Sequence, residues 1–173
     1  MTMKNRIKYL GILALLVIAL CTSAQDFEVE VVGNIEFNNL QVSVTEAGLN
    51  YTSAVESTSD VMVSIKDVDA LGKKTNPNKK WTLSVRKEEA ISDAFTVLVV
   101  RTGKGSRVGS NGSSNIKGGE VYQEVSTTKT YFFHGMGEIS DIPIRFKLED
   151  LSVLSGAGNN QFDITITVDE GWK

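Results

Sequence analysis

A single cysteine and a single histidine occur in 173 residues, and each scarcity excludes a class of chemistry. The cysteine, Cys21, falls in the first 24 residues, so the rest of the chain has no disulfide, thiol nucleophile or cysteine metal ligand. The lone histidine, His134, rules out a multi-histidine metal centre. Charge of neither sign gathers into a long run. The 18 Lys and Arg residues face 21 Asp and Glu, a mild acidic excess that argues against nucleic acid as a partner. Beyond residue 24 no apolar run is long enough to span a membrane.

The first 24 residues have their own character. Lys4, Arg6 and Lys8 precede an apolar run over 9–20, and Thr22 and Ala24 are small residues at the positions a signal peptidase reads before Gln25. We therefore expect a signal peptide over 1–24, an exported protein, and one domain over 25–173. Cys21 admits a lipoprotein-type cut, although Leu20 stands where that processing wants a small residue. An uncleaved anchor is the third alternative. Without the three leader bases, 15 bases remain against 21 acids. A domain of about 150 residues can bury roughly 70% of its unfolded surface, enough to dispense with disulfides.

What the chain does contain is period-two alternation. Phe27, Val29 and Val31 alternate with glutamates, and Leu40, Val42 and Val44 with polar residues. Val61, Val63 and Ile65 follow, then Trp81, Leu83 and Val85, then Ile142, Ile144, Phe146 and Leu148. Phe162, Ile164, Ile166 and Val168 close the series, with Thr165 and Thr167 between them. Each is a strand with one apolar and one wet face. The segment 95–100 is almost continuously apolar and reads as a central strand covered on both faces. Further strands are expected over 121–125 and 130–134, and single helical turns over 88–91 and 151–154. The expected fold is all-β, an Ig-like antiparallel β-sandwich of about eight to ten short strands.

No loop carries a convincing catalytic or metal-binding set. The stretch 102–120 is rich in Gly and Ser, and a structureless loop of that length is either functional or disordered. Its Gly103-Lys104-Gly105-Ser106 run lacks the spacing and following helix of a phosphate loop. Asp67 and Asp69 supply two of the six or more oxygens that calcium wants. Glu88-Glu89 and Glu149-Asp150 are sequence neighbours at turns, not carboxylates facing across a cleft. Lys73, Lys74, Lys79 and Lys80 form a charged loop tip that could meet an acidic glycan or headgroup. His134 reads as a strand-end histidine with a satisfied hydrogen bond, and no catalytic residue, cofactor or metal is expected.

The aromatics are the remaining candidates. Trp81 is in register with Leu83 and Val85 and belongs to the core. Trp172, Tyr51 and Tyr122 are the ligand-binding candidates, since flat rings pack on the apolar faces of sugars.

The strand pattern carries a family resemblance. It lies in an alternating strand directly after the leader (Phe27, Val29, Val31), an Ala47-Gly48-x-x-Tyr51 turn, and a Gly156-x-Gly158 turn into a Thr-rich closing strand. In these the chain resembles exported bacterial pilin-like β-sandwich subunits of the fimbrial and spore-coat-protein-U kind. The family often has a disulfide, absent here, and pilins often have a tyrosine just before the C-terminus, where this chain has Trp172. Export, the all-β pattern and the lack of a convergent catalytic set point to a non-enzymatic structural or adhesion-type domain. The resemblance implies a subunit at the surface or in the periplasm that assembles by strand exchange. Its N-terminal strand would complete a neighbour's sheet. Partners would be subunits of the same or a related kind, or a surface glycan if the chain is instead a carbohydrate-binding module.

Overall fold

The computed structural model describes residues 27–37, 54–67, 77–88, 95–109, 115–150 and 163–172. Eleven strands run through them: β1 (Phe27–Val32), β2 (Val55–Glu56), β3 (Val61–Asp67), β4 (Lys80–Lys87), β5 (Thr96–Arg101), β6 (Ser106–Arg107), β7 (Ile116–Gly118), β8 (Gln123–Glu124), β9 (Thr130–Met136), β10 (Ile139–Glu149) and β11 (Ile164–Glu170). They form two antiparallel sheets, so the expected all-β sandwich is what the chain makes. The first sheet has the order β1-β3-β10-β5-β8, with β2 and β6 also on β10; the second has the order β11-β4-β9-β7. Among the described residues no helix is long and apolar enough to cross a membrane.

The alternating apolar residues supply the core. Val61, Val63 and Ile65 of β3 and Ile142, Ile144, Phe146 and Leu148 of β10 face Trp81, Leu83 and Val85 of β4 across the sandwich, all buried. Trp81 is completely enclosed, as its register implied, and its Nε1 donates to the Gly137 carbonyl at 2.7 Å. The indole therefore buries a large ring without leaving its single donor unmet.

Two bulges shift the alternation. In β10, Ile139 and Ile142 both face inward because the register slips between them, with Asp141 in the left-handed region at φ 55°. In β9 the slip falls where Leu83 pairs with Phe133 but Ser84 pairs with Tyr131. Phe132 and Phe133 are consequently both buried, their rings edge-on at 4.8 Å. Such a bulge re-aims the flanking side chains, and here it sends Tyr131 and His134 to the same outer face.

Several expectations about loops and minor strands change in detail. Strand β5 lies between β10 and β8; Val97 and Val99 enter the core and Val100 is also buried, whereas Leu98 is half-exposed. The strand expected over 121–125 shrinks to β8, with Val121 exposed. The stretch 102–120 contains β6 and β7 and is anchored by Arg101. The guanidinium of Arg101, 3% exposed, donates from Nε to the Gly118 carbonyl (2.9 Å), from Nη1 to the Gly103 carbonyl (2.7 Å) and from Nη2 to Glu120 (2.7 Å). A buried cation is thus satisfied by the carbonyls at both ends of the loop it ties down. The expected strand over 40–44 and the turn over 151–154 lie outside the described residues, as does most of the turn over 88–91 and Asp69.

Candidate ligand-binding face

The three aromatic candidates are not gathered in one place. Tyr51 lies outside the described residues. Tyr122 lies on the outer face of the seven-stranded sheet, with Lys147 Nζ 4.2 Å from its ring centroid. Burial, followed by its hydrogen bond to Glu56, pushes the Tyr122 phenol up to about 12. Beside it Arg145 Nε donates to Asp60 Oδ1 at 2.7 Å, and Thr102 Oγ1 donates to Asp60 Oδ2 at 2.7 Å. These charges are mutually satisfied, and the cluster staples β10 to the segment carrying β2 and β3.

Trp172 lies on the opposite outer face, that of the four-stranded sheet, and is 43% exposed. Its placement begins with Gly171. At φ 90°, a conformation that favours glycine, Gly171 turns the chain back over β4. The turn is fixed from two sides: Gly171 N donates to the Lys80 carbonyl at 2.8 Å, and Thr82 Oγ1 donates to the Gly171 carbonyl at 2.7 Å. The indole then lands on β9. Its Nε1 reaches the Gly135 carbonyl at 3.3 Å, its ring lies 4.9 Å from the His134 ring, and Lys80 Nζ sits 4.0 Å over it.

Sheet register sets the neighbours. Asp169, Thr82, His134 and Lys117 form one row across β11, β4, β9 and β7, and Thr167, Ser84 and Tyr131 form the next. Thr82 and Ser84 are buried although they point away from the core, so the flanking side chains cover the middle of this face. Lys129 closes one side on Asp169 at 2.7 Å. Tyr131 and His134, brought together by the bulge, share a hydrogen bond of 2.8 Å between the phenol oxygen and Nδ1. Gly118 makes room for it, since a Cβ there would stand 2.8 Å from the Tyr131 hydroxyl.

Electrostatically the face is a neutral aromatic centre with cations at its margins. Burial, and then the Lys117 ammonium, hold the His134 imidazole below its ordinary value, and burial holds the Tyr131 phenol above its own. Both rings are therefore uncharged near neutral pH. Among the described residues no group of three or more His, Cys, Asp or Glu is placed to hold a metal. What the arrangement offers is a rigid set of three rings with hydrogen-bonding edges.

Reasoning from sequence singled out Trp172 but not its partners as a group. The one signal for Tyr131 and His134 was Phe132-Phe133, two adjacent large apolar residues that strict alternation cannot bury together. No family model, curated protein or solved structure matches the chain.

Proposed function

We propose that the protein is an exported, non-catalytic, adhesion-type β-sandwich module that binds a surface glycan on the outer face of its four-stranded sheet. The observation that carries this reading is Trp172: a large ring, 43% exposed, yet held by a hydrogen bond and two ring contacts. An indole with its rotamer already fixed loses little entropy when a ligand stacks on it. The test is a glycan array with the native protein and Trp172→Ala. A selective signal that disappears in the variant, with its melting temperature within a few degrees of native, is the expected result. A native protein with no selective signal refutes the reading.

A second reading, assembly by strand exchange, draws on the far edge of the sandwich. There β1 is the outermost strand of its sheet, and a cavity of about 220 Å³ is lined by Val29 and Val31 of β1, by Ile35, and by Ile164 and Ile166 of β11. Strand β1 pairs with β3 over six residues and buries Phe27, so exchange would mean swapping an integral strand. Light scattering after size exclusion tests it. Oligomers that disappear in Val31→Lys support exchange, and a native monomer at every concentration rules it out.

A further inference from the structure

We infer that the ligand of this face is an acidic polysaccharide, a polymer whose uronic-acid carboxylates are read by Lys80 and Lys117 beside the Trp172–His134–Tyr131 rings. This rests on the glycan-binding reading above and adds the charge of the ligand.

The inference comes from comparing the cations around the rings. Lys129 is paired with Asp169 at 2.7 Å, and Lys79 lies 3.6 Å from Glu170. Lys80 and Lys117 have no carboxylate partner among the described residues. Lys80 is exposed and its ammonium stands over the Trp172 ring; Lys117 is exposed and is the cross-strand partner of His134. Without a carboxylate among the described residues, these two ammonium groups flank the aromatic cluster, that of Lys80 in cation–π contact with the indole and that of Lys117 beside the imidazole. On the opposite outer face, by contrast, Lys66 holds Glu30 at 2.8 Å and Arg145 holds Asp60 at 2.7 Å.

A local excess of positive charge in a chain of net charge −3 needs a reason. Overall charge of this sign opposes a polyanion, so attraction must be local and short-ranged. A uronic-acid ring meets both parts of the face. Its apolar side lies against the aromatic rings, and its carboxylate accepts charge-assisted hydrogen bonds from the ammonium groups. A neutral sugar would use the rings alone and leave both lysines in water. Free anions lack the ring that the aromatic centre would hold.

The experiment measures binding of the purified protein to polygalacturonate, alginate and hyaluronan, each beside its methyl-esterified form, and to dextran. Native protein, Lys80→Gln/Lys117→Gln, Trp172→Ala and the control Lys66→Gln are compared, with thermal melts to verify folding. The expected result is at least about tenfold tighter binding to one acidic polymer than to its ester. That preference should be lost in Lys80→Gln/Lys117→Gln, kept in Lys66→Gln, and weakened by salt. Equal binding to free-acid and esterified forms, still dependent on Trp172, overturns the charge assignment while leaving the glycan face standing. Equal loss in Lys66→Gln also overturns it, because the attraction would then be diffuse. Absence of binding to every polymer, charged or neutral, overturns both readings.

Discussion

Gly135 is the position at which the packing of this sandwich can be tested most sharply. It lies near the end of β9, opposite Trp81 of β4, with no backbone requirement for glycine. A Cβ added there would collide with Trp81 Cζ2, and would stand 2.6 Å from Cη2 and 3.0 Å from Cε2. Carbon atoms pack comfortably at about 3.5–4.0 Å, so roughly 1 Å must be found. The indole has little room to provide it, being wholly buried, edge-on to Phe133 at 6.0 Å, and tied to the Gly137 carbonyl at 2.7 Å. Overpacking of this kind costs about 1–3 kcal/mol, and breaking the indole hydrogen bond adds about 1–3 kcal/mol. Gly135→Ala should thus destabilise by about 2–6 kcal/mol, lowering the urea midpoint by about 1–3 M at an unchanged slope of about 2 kcal/mol/M. In a Trp81→Leu background the same substitution should cost little, because the colliding ring is gone. A penalty below about 0.5 kcal/mol, or one that persists in that background, would refute the reasoning.

Arg101→Lys should destabilise by about 2–4 kcal/mol, because one ammonium cannot reproduce three directed bonds and strands buried carbonyls; limited proteolysis should then cut within 102–120, and native-like resistance would count against the clamp. Tyr122, pushed up to about 12, should be the last tyrosine to ionise in an absorbance titration, and Tyr122→Phe should remove that component. Because the folded phenol keeps its proton where the unfolded one has lost it, its contribution to stability falls as pH rises from about 10 towards 12. His134 has the opposite slope: its folded value is depressed by burial and then by Lys117, so the unfolded chain binds more protons below about pH 6.5. The stabilisation is complete above that pH and is lost as pH falls through the folded value. Native protein should lose more stability than His134→Gln between about pH 7.5 and 5 in paired urea melts, and parallel losses would contradict the assignment.

The sandwich was legible where a strand has one face in the core and one in water. Strands β3 and most of β10 announce themselves through apolar residues at every second position, since burial of one face requires that period, whereas Val31 of β1 is exposed and Thr82 and Ser84 on the outer face of β4 are buried. Alternation failed at two places for a stated reason. A bulge inserts one residue, so the inward set changes parity across Asp141 in β10 and between Tyr131 and His134 in β9. Strands of two or three residues, β2, β6, β7 and β8, are too short to show any period. They exist because longer neighbours offer them an edge. The described parts of the glycine-rich stretch were illegible for a similar cause: nothing local distinguishes them, and their anchor is a buried arginine whose partners lie up to 19 residues away.

The candidate site was half legible, and the missing half has one origin. Trp172 could be singled out alone because a tryptophan two residues past the last strand has no core register to satisfy. Its partners could not, because His134, Lys80 and Lys117 come from three different strands and meet only through sheet register and the turn at Gly171. The β9 bulge is the decisive step. Burying Phe132 and Phe133 together completes the core against Trp81, and the same slip turns Tyr131 and His134 outward onto the surface where Trp172 lands. Packing and the proposed recognition are therefore coupled in one strand. A substitution that restored strict alternation in β9 would remove a phenylalanine from the core and separate the tyrosine from the histidine at once, so stability and ligand binding should fail together there, whereas Lys80 and Lys117 can be altered for binding alone.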